Sequence, residues 1–231
     1  MTNVSRTNRN GRRPRSDFYP TPPPATRALI AAEAAHLPSK IWEPAAGDGD
    51  IGVVFQEVSL CDVVMTEYRA TSRCRHVRGG VDFLREKKLL APAIVTNPPY
   101  RIANEFIRHA LSLRPAYAAF FLPITYLAGV DRADMIEGEI GGCSLARVLV
   151  FRNRVTLAPR GLKLRNSGVT TYAWFIWTNE RKLAPQIFRV STVAALDSRA
   201  LAKRRQRREV SRYTVLEDLR RTATDMEGAP V

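Results

Sequence analysis

Residues 43–52 read EPAAGDGDIG, and the chain on either side of them decides what kind of sheet this is. Just before, residues 40–44 form a short apolar strand that must stop at Pro44, which has no backbone donor to continue a ladder. Just after, residues 49–58 place Ile51, Val54, Phe55 and Val58 on one face of a helix. A strand running through glycines into a helix opens an α/β unit whose ligand loop lies at the strand's carboxyl end. Gly47, Gly49 and Gly52 fit G-x-G-x-x-G, and Glu67 follows Gly47 by twenty residues, at the end of the next strand. Glycines let a ligand approach the backbone, and a carboxylate at that place accepts hydrogen bonds from ribose hydroxyls. On this signature alone the loop is a nicotinamide dinucleotide site. Glu43-Pro44 argues against that, because a carboxylate stands where a pyrophosphate would dock on backbone amides. Glu43 suits a ligand carrying positive charge.

Outward from this loop, strand and helix patterns alternate, the signature of a mainly parallel sheet. Strands are expected at 40–44, 63–68, 80–84, 93–96, 117–122, 146–152 and 171–178, the one at 80–84 being the least clearly marked. Helices are expected at 26–36, 49–58, 103–113 and around 132–140, the third with Phe106, Ile107, Ala110 and Leu111 at core spacing. The last two strands are joined by a long segment without a helical period, which predicts an antiparallel hairpin instead of a crossover. Ahead of the first helix, YPTPPP at 19–24 is a stiff extended entry.

A second stretch, IVTNPPYRI at 94–102, has an unusual demand built into it. Its first three residues end a buried strand, and Pro98-Pro99 then forbids continuation. The prolines hold the Asn97 side chain and the Pro98 carbonyl stiffly at the carboxyl end of the sheet, with an aromatic ring following at Tyr100. That edge is where open α/β sheets place their ligands.

Charge indicates the partner. Across 231 residues, 36 Lys and Arg stand against 22 Asp and Glu, giving +14 and a pI near 10.4. Such a balance points to a polyanion, nucleic acid ahead of an anionic membrane. Residues 1–16 carry Arg6, Arg9, Arg12, Arg13 and Arg15 with no acid, and are expected to be a disordered basic arm. From Arg199 onward, nine Lys and Arg against five Asp and Glu make a basic tail of net +4, expected to be part helical. Residues 17–198 between them form the expected domain. Cys61, Cys74 and Cys143 lack metal or redox spacing and are expected to be reduced thiols of a cytoplasmic protein. The scattered His36, His76 and His109 give no reason to expect a metal. No signal peptide is visible, and the longest apolar run, 116–129, is interrupted by Pro123 and too short to span a bilayer.

The glycine loop and NPPY, in one cleft, resemble the S-adenosylmethionine-dependent amino-methyltransferases, specifically the N6-adenine DNA methyltransferases. The resemblance spans residues 17–178 and extends to DFYPTP before the first helix, TEY closing the second strand, VDFL near the third and YAWFIW late in the chain. It implies a Rossmann-like class I methyltransferase fold, with a mostly parallel seven-stranded sheet, a late antiparallel hairpin and helices on both faces. It also implies S-adenosyl-L-methionine as cofactor and duplex DNA with a flipped adenine as substrate. By the same resemblance Tyr19 and Thr21 close over the cofactor, Glu43, Ala45 and Gly47 surround its methionine part, and Glu67 binds the ribose. Asp82 accepts from the cofactor's adenine amine and Phe83 packs on that ring. Asn97, Pro98, Pro99 and Tyr100 form the catalytic turn that handles the target base.

The exocyclic amine of adenine is a poor nucleophile because its lone pair is delocalised into the ring. Acceptors at Asn97 and Pro98 would let the nitrogen turn tetrahedral, and no histidine is needed. DNA phosphates are expected on the acid-free run Arg152, Arg154, Arg160, Lys163 and Arg165. The alternatives are the same transfer to RNA or a protein glutamine, a silent DNA-binding protein on this fold, and a nicotinamide oxidoreductase. Many such methyltransferases carry a separate target-recognition domain for which these residues leave no room. Sequence specificity is therefore expected from short loops or a partner, or is low.

Overall fold

The computed structural model describes residues 19–153, 155, 157, 170–180 and 184–192. Helix α1 (Pro23–Glu33) precedes β1 (Lys40–Glu43), α2 (Gly52–Glu57), β2 (Asp62–Thr66), β3 (Val77–Arg78), β4 (Ala93–Thr96), α3 (Ala103–Ser112) and β5 (Tyr117–Pro123). A short α4 (Ala133–Ile136) then leads to β6 (Ser144–Phe151), β7 (Tyr172–Thr178) and β8 (Gln186–Val190). One sheet holds all the strands of the described residues, in the order β3-β2-β1-β4-β5-β7-β6-β8. Only β7 runs antiparallel to its neighbours, pairing with β5 from Tyr117↔Thr178 to Pro123↔Tyr172. The expected mixed sheet and late hairpin are therefore present.

Burial on both faces explains why the central strands are almost continuously apolar. Along β5, Tyr117, Ala119 and Phe121 pack with α1 and α2, and Ala118, Phe120 and Leu122 pack with α3. Strand β7 alternates the same way, Trp174 and Ile176 to the first side, Phe175 and Trp177 to the second. Each buried indole finds an acceptor: Trp174 Nε1 donates to Ala25 O at 2.9 Å, and Trp177 Nε1 to Met135 O at 2.8 Å.

Three expectations are corrected. The sheet has eight strands and not seven, because β8 adds in parallel to the outer edge of β6. Strand β8 buries almost nothing, with Ile187 65% and Phe188 44% exposed, so no alternation marks it in the sequence. The third strand is Val77–Arg78 and not 80–84. Gly80 turns the chain away at φ +74°, and Asp82 caps a short 3-10 helix at Phe83–Arg85 by accepting from Leu84 N at 3.1 Å. The helix expected around 132–140 is likewise cut to a 3-10 turn at Val130–Arg132 and the short α4. It ends where Gly138 N returns to Ala133 O at 3.2 Å.

Among the described residues no helix is long and apolar enough to cross a membrane, and no group of three or more His, Cys, Asp or Glu is placed to hold a metal.

Candidate active site

A cavity of about 640 Å3 opens at the carboxyl ends of β1, β2 and β4. Every residue expected at the cofactor or the target base lines it except Gly47. Residues separated widely in sequence reach it because parallel strands deliver each following loop to the same edge.

Strand β1 ends at Glu43, 1% exposed, whose Oε2 accepts from Gly52 N at 2.8 Å. That close return explains the glycine: a Cβ on Gly52 would lie 2.8 Å from the same Oε2 and 2.3 Å from Met65 Sδ. Gly47 sits behind the wall, in the left-handed region at φ +58°, and donates its N–H to Glu67 Oε2 at 2.7 Å. The glycine loop thus fixes two carboxylates, one through each glycine.

Burial raises the Glu43 pKa well above its ordinary 4.5; the Gly52 N–H opposes this, and repulsion from Asp50 and Glu67 adds to it. A carboxyl whose folded pKa lies above the unfolded one stabilises fully below the unfolded value, and that contribution is lost as pH rises through the folded value. A cation bound beside Glu43 would favour the ionised form, so binding should release a proton. Calorimetry in two buffers of different ionisation enthalpy should show that release at pH values below the folded pKa, and it should vanish in Glu43→Gln. Equal heats in both buffers for the parent protein would count against a cationic ligand at this carboxylate.

Glu67 presents a more crowded carboxylate than the sequence implies. Its Oε2 takes the Gly47 N–H, and its Oε1 takes Arg69 N at 3.1 Å and Arg69 Nε at 3.2 Å. Two oxygens offer about four acceptor sites, so one ribose hydroxyl fits directly, and a second requires the Arg69 side chain to shift. Arg69 does not stand out in the sequence, and Tyr68, 73% exposed on the cavity rim, was not assigned a role there. The signal for Tyr68 was present in the TEY ending of that strand.

Asp82 and Phe83 both border the cavity. Asp82 Oδ1 is engaged by Leu84 N, and its Oδ2 lies 3.3 Å from Arg85 Nε. Phe83 is 3% exposed, with ring contacts to Trp42 at 5.1 Å, Phe106 at 4.4 Å and His109 at 5.0 Å. Most of its surface is spent on the core.

The NPPY turn meets the entry segment directly. Asn97 Nδ2 donates to Tyr19 O at 3.0 Å, a contact across 78 residues. A carbonyl only accepts, so it dictates which way the amide faces. The amide oxygen, Asn97 Oδ1, is left buried with no donor among the described residues. Thr21, 3% exposed on the same wall, likewise has its Oγ1 without a partner. Buried polar atoms are normally satisfied, and two orphans lining one cavity mark a place for ligand groups.

Tyr100 opens the 3-10 turn after the prolines, where Ile102 N donates to Pro99 O at 3.1 Å. Its ring lies 6.1 Å from that of Tyr172, at 24°, and Tyr172 in turn stacks on Phe121 at 5.2 Å and 9°. The first residue of β7 therefore backs the NPPY turn with a second aromatic face, which spacing along the chain did not reveal.

Of the residues expected on DNA, Arg152 is exposed at the carboxyl edge of the sheet just after β6, its backbone N bonded to Val190 O at 2.8 Å. Arg154, Arg160, Lys163 and Arg165 lie outside the described residues.

The fold is the Rossmann-like fold of the class I methyltransferases. A Listeria monocytogenes protein described as a class I S-adenosylmethionine-dependent methyltransferase superposes with a TM-score of 0.51 at 13% identity, over 79% of this chain and 68% of that one. A methyltransferase subunit of a type I restriction-modification system from Streptococcus thermophilus gives 0.48 at 10% identity, over 72% of this chain and 47% of that one. The M protein of the type I restriction enzyme EcoKI gives 0.44 at 18% identity, over 68% and 43%. This chain thus spans less than half the length of the last two. No family model matches the sequence, and no curated protein does.

Proposed function

We propose that this chain transfers a methyl group from S-adenosyl-L-methionine to the exocyclic N6 amine of adenine in DNA. The observation that carries the reading is the orphaned Asn97 Oδ1, fixed by the Tyr19 carbonyl and sharing a cavity with Glu43 and Glu67.

The residues present fit the cofactor. Glu43 supplies negative charge for its cationic methionine part, Glu67 an acceptor for its ribose, and Thr21 a hydroxyl with no partner among the described residues. Bound S-adenosylmethionine would supply an electrophilic methyl on sulfur. Asn97 Oδ1 accepts from the target amine and, with the Pro98 carbonyl, turns the nitrogen lone pair out of conjugation. No proton needs to leave before attack, so an amide serves where a base would be superfluous. The sulfur–methyl bond would break as the nitrogen–methyl bond forms, releasing S-adenosylhomocysteine, and the surplus proton would pass from the nitrogen to solvent. Tyr100 stacks on the flipped base, with Tyr172 behind it, and stacking of this kind contributes about 1–3 kcal/mol per base. That offsets an unstacking cost of roughly a few kcal/mol.

The net charge of +14 favours a nucleic acid, and exposed Arg152 on the same sheet edge supports phosphate contact there. The deciding experiment supplies labelled cofactor with duplex DNA, RNA and protein in parallel and identifies the methylated product. N6-methyladenine in DNA is the expected product. Label appearing only in RNA or on a protein glutamine would replace the substrate, and label in none of them would sink the proposal.

A further inference from the structure

A second cavity, of about 410 Å3, adjoins the first through Tyr100, Arg101 and Ile102 and runs to Asn104, Tyr126 and Arg132. It lies between the start of α3 and the loop leaving β5, on the same carboxyl edge of the sheet. Its size suits a nucleotide better than a lone ion.

The loop leaving β5 is built to hold one guanidinium in place. Tyr126 is 6% exposed, its hydroxyl bonds Asn104 Oδ1 at 2.7 Å, and burial pushes its phenol ionisation upward so that it stays neutral. The Arg132 guanidinium carbon lies 4.8 Å from the centroid of that ring, and its Nη2 donates to Ala128 O. From α3, Arg108 grips Asp131 O at 2.5 Å and the Asp134 carboxylate at 2.7 and 2.8 Å. Asn104 Nδ2 donates to Asp131 Oδ2 at 2.7 Å, so the nearest carboxylate to Arg132 is already engaged and its other oxygen stands 3.9 Å from Nη2. Arg132 Nε remains buried with no acceptor among the described residues. A rigidly held cation with an unmet buried donor calls for an anionic oxygen. Glu105 also borders this cavity, against the two cations Arg101 and Arg132, so the lining stays net positive.

We infer that this cavity receives the nucleotide beside the target base, with its phosphate on Arg132. The inference rests on the proposed function, because Tyr100 is the wall common to both cavities. A strand whose target base stacks on Tyr100 must lead its backbone into the neighbouring space. Arginine suits the task because its planar fork presents several donors to one phosphate.

Duplexes carrying a single uncharged methylphosphonate, moved position by position around the target adenine, test this with the full chain and its Arg132→Met and Arg132→Lys variants. The parent should lose about tenfold in DNA affinity at one flanking position. Arg132→Met should show that loss already on unmodified DNA, no further loss at that position, and a salt slope lower by about one. Arg132→Lys should keep the slope and the position effect, and all three should bind S-adenosylhomocysteine alike. The inference is overturned if Arg132→Met retains the parent's KM and salt slope, or if its methylphosphonate penalties match the parent's everywhere. If the parent methylates DNA and only these differences are missing, the inference alone fails. If it methylates no DNA, the functional proposal fails and this site falls with it.

Discussion

Asn97→Ala should lower methyl transfer by about a hundredfold or more while cofactor affinity changes by less than about twofold. A hundredfold corresponds to roughly 2.7 kcal/mol of lost transition-state stabilisation. That is the scale of one preorganised acceptor acting where charge and geometry change during reaction. In the folded protein the substitution removes a single hydrogen bond, from Asn97 Nδ2 to Tyr19 O, made by a partly buried side chain. A bond of that kind contributes about 1 kcal/mol to stability. Denaturation midpoints should therefore move little, which separates a catalytic loss from a folding loss. Single-turnover rates with calorimetric cofactor titration make the measurement, and a variant that transfers methyl groups at the parent rate would remove Asn97 from the chemistry.

The largest stability effect is expected far from that chemistry, at the ion pair between Glu33 at the end of α1 and Arg147 in β6. Arg147 Nε lies 2.9 Å from Glu33 Oε1 and Nη2 lies 3.0 Å from Oε2, with the two side chains 12% and 2% exposed. Forming such a pair gains little overall, since both charges leave water; removing one partner strands the other. Arg147→Ala should accordingly destabilise by about 3–5 kcal/mol, read as a lower urea midpoint. The hydroxyl of Tyr117, 2% exposed, belongs to the same cluster; burial first and Glu33 next push its ionisation well above the ordinary 10.0. Glu33→Leu combined with Arg147→Met should recover most of the loss, because no unpaired charge is left behind. Failure of the double variant to recover would mean the pair contributes through geometry instead of charge. Since α1 directly follows residues 19–21, which line the cavity, Arg147→Ala should also loosen the contact that orients Asn97.

Much of this was legible in the chain itself. Pro44 and Pro98-Pro99 announce strand ends, because a residue without an N–H cannot continue a central ladder. The continuous apolar run at β5 and the 3.6-residue period of α3 announce burial on two faces, and those placements hold to within a residue or two. The cavity-lining residues were named through the resemblance carried by the glycine loop and NPPY, and parallel strands explain why Glu43, Glu67 and Asn97 among them reach one edge. What left no trace were features made by contact between distant segments. Strand β8 lies on the exposed edge and needs no apolar alternation, so only its backbone pairing with β6 defines it. Tyr172 behind Tyr100, Arg69 across Glu67, and the buried Glu33–Arg147 pair each join residues whose types are unremarkable on their own. Local sequence determined where the chain turns and which faces are apolar, because steric and hydrogen-bonding limits act over a few residues. Tertiary structure alone decided which donor meets which acceptor, and so left Asn97 Oδ1 and Arg132 Nε without partners among the described residues, since satisfaction of a buried polar atom depends on everything packed around it.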